Sequence, residues 1–165
     1  MSMSDSPSRF IEIFRMIWGA MLLTAPRVVL RSIHRVEVDQ KAVVIARILG
    51  ARHLAQASLS GIRPSPEIIA AGIWVDSVHA LTALGLAALD RRRARGALTD
   101  AFVAALWALS GAHDLASGGT PPPHRQRLRD RLAQLILPRL PGGRPLLDRA
   151  QRANGQSRDI ARVVA

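Results

Sequence analysis

The chain has 165 residues, a formal net charge of +11 and no cysteine, which fits one domain and excludes disulfides, thiolate metal sites and cysteine nucleophiles. Apolar residues make up 48% of it, yet aromatics only 4% and tyrosine none. A soluble core of this size normally draws buried area from aromatic rings, whereas Ala, Leu, Val, Ile and 12 glycines suit closely packed membrane helices.

The basic residues are arginines apart from Lys41, as a GC-rich bacterial genome would encode them. An excess of this sign also fits anionic lipid or nucleic acid as a partner. The N-terminus, MSMSDSPSRF, has one arginine and an aspartate, and Glu12 and Arg15 interrupt the apolar stretch behind it; no small-residue cleavage site follows, so no cleaved leader is expected.

Four apolar blocks follow in chain order. The first runs from Phe10 to Leu30, with Pro26 predicted to bend or end its helix. After the polar connector RSIHRVEVDQK comes block two, Ala42 to Ser60, closed by Gly61 and Pro64. Block three, Glu67 to Leu89, starts behind Ser65-Pro66, a serine cap with a first-turn proline, and ends at Asp90 and the run RRRAR. Block four, Ala97 to Ser117, stops at two glycines and three prolines. Each block is close to the ~20 residues that cross ~30 Å of hydrocarbon.

The predicted fold is therefore all-α: a four-helix transmembrane bundle at residues 10–118, after a short tail at 1–9 and before a basic, partly helical tail at 119–165. In that tail, Leu128, Leu132, Leu135 and Ile136 recur at helical spacing among arginines, which predicts an amphipathic helix near 124–138. Such a helix lies on anionic lipid or packs on a partner domain. Beyond PGGRP at 141–145 the sequence predicts little order.

Ionisable groups inside apolar helices are expensive and become functional candidates once partners can be named. A short loop joins blocks two and three, so they should be adjacent and antiparallel. Arg52 and His53 then come level with Asp76 and His79, which predicts an Arg52–Asp76 pair with His79 one turn along. The same depth matching pairs Arg47 with Asp100 and Arg15 with Asp114. Ala51, Ala55 and Ser58 share one face of block two with Arg52 at its edge, which marks that face as the packed one, although Ala42, Ala46 and Gly50 make a second ladder pointing away from it. In block three Gly72, Asp76 and Ala80 form another.

Several readings of the cluster stay open. Arg52 and Asp76 can be a structural ion pair that sets helix register. Asp76, His79, Arg52 and His53 can instead handle a proton or ligand, since a carboxylate tunes a histidine near neutral pH. A metal site completed by His53 or His113 is the third. No Ser-His-Asp, phosphate-loop, dinucleotide or zinc-protease motif occurs, and no cofactor is expected.

The segments WGAMLLTAPRVVL, ARILGARHLAQASLSG and WVDSVHALTALGLAAL, followed by RRRARGAL, resemble small four-helix bacterial membrane proteins of the DoxX-like kind. Their second helix opens on an R-x-L-G-x-R stretch, matched here by Arg47, Leu49, Gly50 and Arg52. The resemblance covers about Phe10 to Ser117 and omits the basic tail. It implies an accessory membrane subunit, in some relatives tied to quinone or thiol redox chemistry; a chain without cysteine departs from any thiol role.

The expected function is a non-enzymatic accessory or scaffold subunit, multi-pass in a bacterial inner membrane, touching anionic lipid through its tail, with a membrane protein as a further candidate partner. One alternative is a small transporter or proton-coupled binding protein built on the Asp/His/Arg cluster. Another is a soluble basic nucleic-acid-binding protein, against which blocks three and four lack the polar face a surface helix needs.

Overall fold

The computed structural model describes residues 8–34, 38–61, 64–117 and 128–164, and among these it is helical without strands. Helix α1 (Ser8–Thr24) ends where Pro26 removes a donor, and α2 (Pro26–Val29) turns away from it by 103° before a π-helical turn at Leu30–His34. Helix α3 (Gln40–Ser60) begins on Asp39, whose carboxylate accepts from the Ala42 amide at 2.6 Å, and stops at Gly61 with φ +63°. Helix α4 (Pro66–Leu89) begins on Ser65, which caps the Ile68 amide at 3.3 Å. Helix α5 (Ala94–Ser117) returns antiparallel to it.

Two further helices follow: α6 (Leu128–Ile136), a 3-10 turn at Leu137–Arg139, and α7 (Gly143–Val164). The expected amphipathic helix thus spans Leu128–Ile136, and its proposed start at 124–127 lies outside the described residues. The weak order expected beyond residue 145 is not what forms. Leu147, Ala150 and Ala153 sit at helical spacing and bury against the rest of the chain, Leu147 and Ala150 within a shared core with α4. Trp74 donates to the Pro141 carbonyl at 2.8 Å and Asn154 to Glu67 at 2.8 Å, so α7 runs antiparallel along the first half of α4.

The helices associate in two groups. Helix α1 packs on α3, and α4 packs on α5 with α6 and α7 against its first half. The α1–α3 crossing depends on two glycines: a Cβ on Gly50 would stand 2.7 Å from both the Gly19 carbonyl oxygen and the Leu23 amide. The ladder expected to pack beside Arg52, Ala51, Ala55 and Ser58, is exposed, and Ala42, Ala46 and Gly50 form the packed face instead. One apolar core joins Trp18, Leu22, Val43, Ala46 and Trp107; the other joins Ile69, Ile73, Leu115, Leu137 and Leu147.

Beside these apolar cores the structure buries several charges and leaves many large apolar side chains outside. Arg15, His53, Glu67, Asp76 and Asp130 are buried, while Phe14, Ile17, Ile48, Leu81, Phe102 and Leu109 are exposed. By length and composition one described helix, α4, can cross a membrane, and α1 with α2 qualifies only as a pair across the 103° bend. The four equivalent spans expected from the sequence are not distinguished this way. Helices α3 and α5 are long enough, but their charged and polar residues keep both less apolar than α4.

Candidate functional site

A polar layer lies between the two apolar cores. Asp76, the eleventh residue of α4, is 1% exposed and sits where α1, α3 and α4 converge. Its Oδ2 accepts from Arg15 Nη2 at 2.8 Å, and its Oδ1 accepts from Arg52 Nη2 at 2.9 Å and Gln56 Nε2 at 3.3 Å. Arg52 also reaches the Val75 carbonyl at 3.3 Å. The Arg15 guanidinium lies over the Trp107 ring, 4.8 Å from its centroid, so a cation in an apolar setting gains an aromatic face as well as a carboxylate.

The layer borders a cavity of about 30 Å³, which also touches Glu12, Ser60 and Asp114. That is room for one or two waters. Glu12 Oε2, Arg15 Nε, Arg52 Nη1 and Gln56 Oε1 are buried here without a hydrogen-bond partner among the described residues. Each such atom costs about 1–3 kcal/mol if left dry, so the layer is polar beyond what its own contacts satisfy.

His53 is fully buried on α3, edge-on to Trp107 at 4.6 Å between centroids, and neither ring nitrogen has a hydrogen-bond partner among the described residues. It does not join Asp76. Nor does His79, whose Nε2 lies 2.6 Å from Oδ2 of Asp100 on α5. The supposed Asp76–His79 dyad is therefore two separate pairs, because α5 faces His79 while α1 and α3 face Asp76.

The two pairs expected from matching depth do not form. Asp100 is taken by His79, and Arg47 is exposed on the opposite side of α3. Arg15 reaches across to Asp76, leaving Asp114 at the edge of the small cavity. Among the described residues no three His, Asp or Glu side chains gather as metal ligands.

A second feature is an aliphatic cleft of about 270 Å³ between the α1–α3 pair and the α4–α5 hairpin. His79 and Asp100 line it toward the middle of the bundle. Arg93, paired to Asp39 at 2.9 Å and to Asp90 at 3.5 Å, lines it at the other end. The Asp39 carboxyl is held below its ordinary value of 3.8, first by the Ala42 amide and then by Arg93.

Sequence reasoning passed over a third polar group, which latches the C-terminal helices. Glu67 Oε1 accepts from Gln134 at 3.0 Å and Asn154 at 2.8 Å; Asp130 accepts from the Ser65 hydroxyl at 2.7 Å. Arg129 donates to the carbonyls of Leu59 and Ser60 at the end of α3, where the helix dipole favours a cation. The signal for this latch was the acid in the first turn of block three and Asp130 set between Arg129 and Arg131. Comparison with protein-family models, curated proteins and solved structures gives no match for this chain.

Proposed function

We propose that the chain is an integral membrane protein, a bundle of the four predicted blocks with a docked C-terminal hairpin, serving as a non-enzymatic accessory or scaffold in a membrane assembly. The apolar outer faces around a charged centre carry this reading. Asp76 is buried with Arg15 and a half-buried Arg52 on it, whereas the outward faces of α1, α3, α4 and α5 present Ile13, Phe14, Ile48, Leu81, Leu98, Phe102 and Leu109. In water such a surface invites aggregation; in lipid it is the solvated face, and the charges belong inside.

Arginines edge the apolar belt at the α4–α5 turn, where Arg91, Arg92 and Arg95 are exposed, while Arg144, Arg149 and Arg152 are exposed on α7 beside the first half of α4. Arg47, two turns into α3 beside exposed Val44 and Ile48, would extend its guanidinium to the headgroups. On α6, Leu128, Leu132, Leu135 and Ile136 all point outward, which supports contact with an anionic lipid surface. The DoxX-like resemblance and a multi-pass inner-membrane location belong to the same proposal.

Fractionation of cells expressing the protein is the test. Retention in the pellet through carbonate and high-salt washes, with release by detergent, is expected. Release by salt alone would sink the reading and favour the basic soluble protein, for which salt-sensitive nucleic-acid binding is the next measurement.

A second reading is favoured by the Glu12 and Arg15 atoms that border the small cavity without a hydrogen-bond partner among the described residues: a proton-coupled binding or transport protein. It expects Asp76→Asn to remain folded and lose transport, whereas the scaffold reading expects loss of folded protein.

A further inference from the structure

We propose that the aliphatic cleft between the α1–α3 pair and the α4–α5 hairpin binds a neutral long-chain alcohol, its hydroxyl donating to Nδ1 of His79. The cleft, about 270 Å³, lies near the lower bound of small-molecule pockets, about 300 Å³. Leu22, Ile45 and Leu49 line one wall and Ala83, Leu86 and Ala97 the other, a surface matched to methylene groups rather than to a polar body.

The hydrogen-bonding end follows from the histidine. Asp100 presents a carboxylate oxygen 2.6 Å from Nε2, and an ionised carboxylate only accepts. In the neutral ring the proton therefore sits on Nε2, and Nδ1 keeps a lone pair. The neighbouring Thr82 hydroxyl does not fill that role, since it donates to the His79 carbonyl at 2.9 Å. A ligand here must bring an O–H donor; an ester or ketone would set lone pair against lone pair.

Charge decides the rest. Asp100 stands beside the acceptor and repels a carboxylate. At the far end the Arg93 guanidinium is engaged by Asp39 and Asp90. A neutral head group is thus preferred to an anion. The inference goes beyond the membrane reading and does not rest on it, because cleft and histidine are the same in either solvent.

The experiment titrates 1-dodecanol into full-length protein labelled with 15N-histidine, in nanodiscs of neutral phospholipid. Dodecane and dodecanoate serve as controls, and His79→Gln assigns the resonance. A saturable shift of the His79 Nδ1 signal by the alcohol is expected, with none from the alkane and binding about tenfold weaker or worse for the carboxylate. Ala83→Phe, which puts a ring into the cleft, should weaken the alcohol to the same extent. An equal response to dodecane or dodecanoate, or no saturable shift, overturns the proposal. Should Ala83→Phe fail to fold, the three probes on the unsubstituted protein decide alone. Failure of membrane residence would appear in fractionation and leave this titration, run without nanodiscs, still decisive.

Discussion

Asp76 accepts from three side chains on two helices, so it and its donors are not equivalent. Removing its charge leaves two guanidiniums facing each other in a mostly dry layer, and breaking a buried pair in this way costs about 3–5 kcal/mol. Removing Arg15 or Arg52 leaves the carboxylate with one cation, a smaller loss. We therefore expect Asp76→Asn to destabilise more than Arg15→Gln or Arg52→Gln, read from reversible unfolding in mixed micelles; an equal loss for all three would mean that the carboxylate is not the hub. Asp39 gives a pH dependence of known sign. Its folded pKa lies below the ordinary value of 3.8, so its contribution is present above that value and fades as pH falls through the folded pKa. Unfolding midpoints of the protein and of Asp39→Ala should differ at pH 7 and converge in acid.

At the scale of elements, two glycines on different helices should respond oppositely to the same methyl group. Gly50→Ala drives a Cβ into backbone atoms of α1 at 2.7 Å, which cannot move without parting the helices, so a loss of about 1–3 kcal/mol is expected. Gly72 has no heavy atom within 4 Å of the same position, and Gly72→Ala should stabilise by about 0.5–1 kcal/mol through the lower backbone entropy of the unfolded chain. Thermal unfolding of the two variants side by side decides it. The hairpin of α6 and α7 has its own reporter, because Trp74 donates to the Pro141 carbonyl where the two meet. Glu67→Ala strips the acceptor from Gln134 and Asn154. Red-shifted Trp emission and faster proteolysis within α7 are expected, and unchanged digestion would show that apolar contacts alone hold the hairpin.

For the whole molecule, what the sequence made legible was depth, and what it hid was direction. The helix start at Ser65 could be read because a cap is local chemistry. The Arg52–Asp76 contact could be read because a short loop brings those residues level. Depth failed for Arg47, which lies about 140° around α3 from Arg52 at 3.6 residues per turn and so faces away from α4. It failed again for Arg15, whose choice between Asp76 and Asp114 depends on where α1 crosses, and the Gly19–Gly50 contact sets that crossing. The docked tail was hidden because its apolar residues read as one stripe. The structure turns Leu128, Leu132 and Leu135 outward and buries Ala133 and Leu137 instead.

The apolar belt is also short. On α3 the exposed apolar side chains extend from Val44 to Leu59, about 22 Å at 1.5 Å per residue, against about 30 Å for a typical hydrocarbon core. On the proposed membrane reading, a rigid body of that height cannot correct the difference by tilting, since tilt only shortens its reach. The lipid would then thin around it, or copies would gather to share the deformation. The protein should then unfold at a higher temperature in bilayers of fourteen-carbon chains than in those of eighteen, and concentrate in the thinner membranes of its cell.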